Sequence, residues 1–254
     1  MEVAKWQKML LTLSKLQHDG AIAINGSVSV TQQVKKRILT LLNIRNVLIL
    51  SPVFGELMIR VASKKTKHSN ISTSISPKYY PNWSNINLLE AYGVMDKHGH
   101  DKSMMTAFRY GSSKDLNKLW MRVKNEEISL QSISETVACW NKKEVIERFN
   151  QKSRVLLLQY EKDTIGFHLS SVKVVYLDVA KLDFDFVNLL KNGKITCESR
   201  MYLASEHQHC QLRGFRKGSL RNHGFGWRIK SPLNNKIFTV INVINIRPLK
   251  EDAN

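Results

Sequence analysis

Carboxylates are the scarcest functional group in this chain. Between Asp19 and Glu90 there is a single one, Glu56, against nine Lys and Arg. From His207 to Lys250 there is no Asp or Glu at all, while nine Lys and Arg occur. Neither stretch can supply from its own residues the paired acids that general acid–base or divalent-metal chemistry needs. Cysteine is scarce too. The three present, Cys139, Cys197 and Cys210, are odd in number and widely spaced, which argues against a disulfide framework and predicts a reduced, intracellular protein. No apolar run approaches the roughly 18 to 20 residues of a membrane-crossing helix. The start, Met1 to His18, is interrupted by Glu2, Lys5 and Lys8 and reads as an amphipathic helix, not a signal peptide. Internal repeats and low-complexity tracts are missing, and so is any Gly-rich phosphate cradle. No Ser-His-Asp or Cys-His constellation can be argued from spacing.

What is present is positive charge. The 254 residues carry a net charge of +18. A balance this basic speaks about partners, and nucleic acid comes first because Lys and Arg displace the counterions condensed on phosphates. An anionic membrane is the weaker candidate, since no long basic amphipathic helix supports it. Charge thus points to nucleic acid as the partner, with no membrane and no small-molecule substrate expected. The expected location is cytoplasmic, nucleoid-associated if the source is bacterial. With 43% of residues hydrophobic, the chain can bury a real core.

Helical spacing predicts helices over Glu2 to Leu16, Gln32 to Leu42 and Asn87 to Tyr92. Asn141 is a good cap for a helix from Lys142 to Gln151, and Asn192-Gly193 ends another that runs to Lys191. Short apolar runs predict strands at Asn46 to Leu50, Glu56 to Ala62, Met104 to Tyr110, Trp120 to Lys124, Ile128 to Ser132 and Glu135 to Trp140. Further strands are expected at Val155 to Glu161, Ser170 to Leu177, Ile195 to Ala204, Gly226 to Ile229 and Phe238 to Asn245. The polar stretch Ser63 to Pro81 reads as a loop or irregular arm, holding Lys64, Lys65 and Lys67. This order of elements predicts an α/β domain around a central sheet.

The carboxy-terminal third is the richest in candidate ligands for DNA. Arg213, Arg216, Lys217, Arg221 and Arg228 alternate with Gly214, Gly218, Gly224 and Gly226. Glycine lets backbone approach phosphate closely, and Arg binds phosphate or guanine with two hydrogen bonds. His223-Gly224 ahead of a strand with Arg228 places a His and an Arg at a loop–strand junction, within reach of base edges. The bland alternative is a solvated basic loop. His207-Gln208-His209-Cys210 offers three zinc-type ligands but lacks a matching pair at the usual spacing, and Asp96 to Asp101 reads as a turn. Tyr79, Tyr80 and Trp83 form an aromatic cluster that either anchors a loop or stacks single-stranded bases.

These residues bear a resemblance. The run Asn192-Gly193, Arg200, Arg213-x-x-Arg216-Lys217 and His223-Gly224-Phe225-Gly226-Trp227-Arg228-Ile229 resembles the end of the MvaI/BcnI type II restriction endonucleases, relatives of the MutH nuclease. Leu88-Leu89-x-x-Tyr92-Gly93 with Asp96 and Gly99, Trp140 with its following helix, and Pro52-x-Phe54 ahead of a strand keep the same order. The resemblance implies a restriction-endonuclease-like, PD-(D/E)XK, α/β fold over residues 1–254: a central mixed sheet flanked by helices, with a cleft for duplex DNA. Approximate lobes would be a catalytic one at 1–135 and a recognition one at 136–254. It implies base contacts by His223 and Arg228, with Arg200 as a further candidate. Asn222 stands where the family has Asp.

The chain departs from the family where cutting occurs. The family pattern is Asp, then Glu-x-Lys on the next strand, holding Mg²⁺. Here those positions fall on Val53, Met58 and Arg60, and a further acid expected in the preceding helix falls near Lys35-Lys36-Arg37. No catalytic residue, metal ligand or cofactor is therefore assigned. The expectation is a pseudo-nuclease that binds duplex DNA through Arg60, Lys64, Lys65, Lys67, Arg200, Arg213, Arg216, Lys217, Arg221, His223 and Arg228. It would act as the recognition subunit of a larger assembly: a defence system such as antiviral defence, a hetero-oligomeric nuclease or a mobile-element system. The alternatives are an active Mg²⁺-dependent endonuclease with relocated acids centred on Glu56, helped by Glu90 or Asp96, and an RNA-binding assembly subunit.

Overall fold

The computed structural model describes residues 2–18, 22–23, 29–66, 68–95, 102–111, 119–162, 166–203, 220–232 and 236–243. In chain order the first elements are α1 (Glu2–His18), β1 (Ile22–Ala23), α2 (Val30–Leu41), β2 (Leu48–Ser51), β3 (Gly55–Ser63), β4 (His68–Ser74), β5 (Lys78–Tyr79), α3 (Asn85–Tyr92), β6 (Val94–Met95), β7 (Lys102–Tyr110) and β8 (Trp120–Lys124). Then come β9 (Glu127–Gln131), β10 (Thr136–Asn141), α4 (Lys142–Asn150), β11 (Arg154–Lys162), β12 (Gly166–Leu177), α5 (Val179–Lys191), β13 (Ile195–Leu203), β14 (Leu220–Pro232) and β15 (Phe238–Asn242). No described helix is long and apolar enough to cross a membrane.

The fold is mixed α/β, and its strands divide between two sheets. The chain forms two compact units, one from residues 1–69, 152–178 and 231–254, the other from 70–151 and 179–230. Each is thus assembled from separated segments, where the sequence suggested lobes meeting near residue 135.

The first unit holds a six-stranded sheet in the order β1-β12-β11-β3-β2, with β15 also on β12. β3 and β11 run parallel, with Met58 beside Val155 and Arg60 beside Leu157. Strand period two sorts β3 cleanly. Leu57, Ile59 and Val61 point into a core with Leu156, Leu158, Val172 and Val174. α1 and α2 cover that face because Trp6, Met9, Leu13, Val34 and Ile38 recur at helical spacing and bury there.

The second unit holds a nine-stranded sheet in the order β4-β14-β13-β7-β8-β9-β10-β5, with β6 on β7. β7 and β8 run parallel. Its core is aromatic: Trp140 meets Phe225 and Trp227 edge-on at 5.1 and 5.4 Å, and Phe186 lies 6.4 Å from Trp227. The Trp140 Nε1–H donates to the Ile75 carbonyl at 3.1 Å, satisfying a polar atom that burial would otherwise penalise. Asn141 caps α4, its Oδ1 accepting from the amides of Lys143 and Glu144. Gly193, at φ +65°, closes α5 in the left-handed conformation that glycine tolerates.

Two sequence expectations are corrected. Ser63 to Pro81 is not an irregular arm: it contains β4 and β5. Ile71, Thr73 and Ile75 are buried while Ser72 and Ser74 are exposed, so a two-residue alternation was present but muted by Ser and Thr. His223-Gly224 is not a loop–strand junction either, since β14 begins at Leu220 and carries both inside it.

Candidate nucleic-acid interface

The second unit presents an open basic sheet face. Along β13, Ile195, Cys197, Ser199 and Met201 are buried, leaving Thr196, Glu198 and Arg200 on the other face. Along β14, Phe225, Trp227 and Ile229 are buried, leaving Gly224, Gly226 and Arg228 outward. The pairing of Glu198 with Gly226 and of Thr196 with Arg228 brings these outward sets together. Arg200 Nη2 and Arg228 Nη2 each donate to the same atom, Glu198 Oε2, at 3.0 Å. Glu198 is only 21% exposed, so solvent screens this two-arginine contact less than it would a surface pair. One carboxylate therefore fixes both guanidinium groups that the sequence singled out for base contact.

A bulge brings in a third singled-out position. Ser199 pairs with Phe225 and Met201 with Asn222, which leaves His223 and Gly224 opposite Arg200. Gly224 takes φ +65°, the conformation that a bulge glycine supplies, and bulges re-aim the strand locally. Arg221 also lies on β14; the side chains of Arg221 and His223 fall outside the described set. On the neighbouring strand β7, Ala107 pairs with Glu198 and Met105 with Arg200. Exposed Arg109 pairs with Trp120 of β8, and Trp120 with Gln131 of β9. The outward face thus combines arginines with small residues at Gly226 and Ala107. Sequence reasoning missed Glu198 and Arg109. Glu198 was readable as the lone acid between buried residues of a strand, but its partner 30 positions away was not.

The first unit holds the positions matched to the family's catalytic acids. Val53 lies in the β2–β3 turn, where Ser51 Oγ accepts from the Val53 and Phe54 amides. On β3, Glu56, Met58 and Arg60 share the face opposite Leu57 and Ile59. Across that face Arg60 sits beside Leu157, and Leu157 beside Lys173. The buried side chain of Gln159 accepts from Lys173 Nζ at 3.0 Å and from Ser171 Oγ at 2.9 Å. This donor set does not fit Mg²⁺, which takes hard oxygen ligands: Val and Met offer none, and Arg60 and Lys173 are cations. Among the described residues no three His, Cys, Asp or Glu side chains group to hold a metal ion. Lys173 also escaped notice in the sequence, hidden in an otherwise apolar run.

Lys64 and Lys65 follow β3. Lys64 Nζ pairs with Glu161 at 2.7 Å, and His168 lies 3.2 Å from the same carboxylate. Lys64 first, then His168, hold the Glu161 carboxyl below its ordinary range. Lys64 is thus partly neutralised, and both Lys64 and Lys65 are exposed. Lys67, Arg213, Arg216 and Lys217 lie outside the described residues, as do His207 to Cys210 and Asp96 to Asp101. Burial pushes the Cys139 and Cys197 thiols up, which disfavours the thiolate a nucleophile needs. Tyr79 and Trp83 are built into the second unit: Tyr79 donates to Asn85, and Trp83 stacks on Tyr92 at 6.1 Å.

Comparison with known proteins gives one kind of answer. No family model matches the sequence, and no curated protein matches it. Among solved structures, restriction endonuclease MvaI bound to its cognate DNA substrate superposes with a TM-score of 0.62 at 15% identity, covering 96% of this chain and all of that one. The chain has the fold of a restriction endonuclease. MvaI in the absence of DNA matches with a TM-score of 0.52, also at 15% identity, over 94% of this chain and 97% of that one. The MvaI-like fold thus runs through essentially the whole chain, in accord with the resemblance read from its motifs.

Proposed function

We propose that this chain binds duplex DNA on a restriction-endonuclease frame without cutting it, and recognises DNA on behalf of a partner protein. The observation that carries the reading is the outward face of β3, where Glu56, Met58 and Arg60 stand and Lys173 lies two strands away. Metal-assisted hydrolysis needs a bound ion to lower the pKa of its water and to neutralise developing charge. One carboxylate is a poor site for such an ion, and the cations Arg60 and Lys173 on the same face favour a phosphate instead. Support for DNA as ligand comes from the net charge, from the arginine face of β13 and β14, and from the MvaI structure, whose partner is its cognate DNA. Arg200, Arg228 and His223 would read bases, while Arg60, Lys173, Lys65 and Arg109 would meet phosphates.

The test is binding and cleavage measured together on one labelled random-duplex library, with and without Mg²⁺. Intact DNA with tight binding that weakens steeply with salt is the expected result. Metal-dependent cuts that vanish in Glu56→Ala would replace the reading with an active endonuclease. Stronger binding to single-stranded RNA than to duplex DNA would replace it with an RNA-binding role.

A further inference from the structure

The arginine face of the second unit holds one group that phosphate contact leaves unexplained. Met105 of β7 is 72% exposed. Its neighbour Met104 is buried, because strand alternation turns it to the core side of the sheet, where it pairs with Met201. The same antiparallel register sets Met105 directly beside Arg200, with the two Cα atoms about 5 Å apart. Among the described side chains that β7, β13 and β14 turn to this face, Met105 is the one large apolar group. A single exposed methionine is ordinary on a protein surface. This one stands next to a guanidinium that Glu198 holds at 3.0 Å.

We infer that Met105 is a specificity-determining residue that packs against the 5-methyl group of a thymine, next to the guanine that Arg200 would bond. The inference rests on the proposed reading of duplex DNA by this face. The thymine methyl is the apolar group that base edges offer, and it stands in the major groove together with guanine O6 and N7. Successive bases of one strand lie about 3.4 Å apart. A side chain about 5 Å from Arg200 therefore falls one or two base steps from the guanine. A methionine suits the contact because its unbranched thioether chain adapts to the shape of an apolar partner. An apolar wedge between base steps is the other use of such a side chain, but wedges belong to minor-groove binders, whereas bidentate arginine–guanine contacts lie in the major groove. Arginine supplies hydrogen bonds and is blind to a methyl group. Met105 supplies the complementary sense.

The experiment starts from the duplex that the full chain enriches most from a random library. Each thymine in it is replaced singly by deoxyuridine, which removes the methyl group and keeps the pairing edge. Affinities are measured by fluorescence anisotropy for the unchanged chain, Met105→Ala and Met105→Leu. At one thymine, loss of the methyl should weaken binding about fourfold, the worth of one buried methyl-sized group. Met105→Ala should bind the thymine and deoxyuridine duplexes alike. Met105→Leu keeps an apolar contact and should still prefer thymine. A chain that selects a duplex yet ignores every methyl group would overturn the inference and leave the proposed reading of DNA standing. So would a methyl preference that survives in Met105→Ala. Failure to enrich any duplex sequence would overturn both.

Discussion

Replacing Glu198 should change preferred and random DNA in opposite directions. Two guanidinium groups meet one oxygen of this carboxylate at 3.0 Å each. At an effective dielectric of about 20, unit charges about 4 Å apart attract by about 4 kcal/mol before desolvation. What survives as net interaction is about 1 to 3 kcal/mol for the pair of contacts. Glu198→Ala removes a negative charge from the face proposed to meet DNA, so binding to random duplex should tighten about fivefold, or about 1 kcal/mol. It also frees Arg200 and Arg228 to sample other rotamers. Each well-placed Arg–guanine pair discriminates by about 1 to 3 kcal/mol, so the ratio of preferred to random affinity should fall about 5- to 150-fold. Glu198→Gln keeps an acceptor without the charge and should fall between. The assay is fluorescence anisotropy on a sequence enriched from a random-duplex library and on a scrambled duplex, across a KCl series. If both affinities move by the same factor, Glu198 is merely a local charge and the positioning argument is wrong.

Three other changes probe neighbouring links. Arg109→Ala should reduce the magnitude of the slope of log affinity against log salt by about 0.9 without altering sequence preference; an unchanged slope would remove Arg109 from the interface. Asn141→Ala strips the cap that serves two amides of α4 and should cost about 1 kcal/mol, read as a fall of about 2 to 4 °C in Tm. Lys142 pairs with Asp183 at 2.8 Å and Glu126 at 3.7 Å, and the bond to Asp183 above all raises its pKa despite partial burial. A raised folded pKa means that its contribution is complete below the unfolded value, about 10.4, and is lost as pH rises through the folded one. Lys142→Met should therefore cost about 1 kcal/mol at neutral pH, and denaturation curves of the two proteins should converge only in strong alkali.

Much of this fold was legible because its strongest local signals agree with its packing. Trp120 to Lys124 forms a strand at the predicted bounds, and Asn141 caps the helix it was expected to cap. What failed was local evidence of low contrast. β4 alternates Ile with Ser and Thr, residues that also fill loops, and its pairing with β14 brings together segments about 150 positions apart. The candidate site divided the same way. Arg200 and Arg228 were identifiable by type and order, but their meeting at Glu198 depends on the register of β13 against β14. Lys173 looked like one charge in an apolar strand, and only the order β12-β11-β3 places it on the face of Arg60.

The placement of acids separates recognition from mere adhesion. The chain has 21 carboxylates against 39 Lys and Arg, and the positions matched to the family's metal ligands hold none of them. A protein that only needed to stick to DNA would gain nothing by setting a carboxylate between two arginines of the proposed binding face, since that charge opposes phosphate contacts. Glu198 stands there, partly buried and bonded to both. On the proposed function, such an arrangement would lower raw affinity in exchange for fixed guanidinium geometry, which contacts to base edges reward. The β3 face differs: Glu56 shares it with Arg60, and Lys173 lies two strands away on the same face. On the proposed function, positioned arginines in one unit and a face of the other that carries Arg60 and Lys173 are what a DNA reader without cutting chemistry would need.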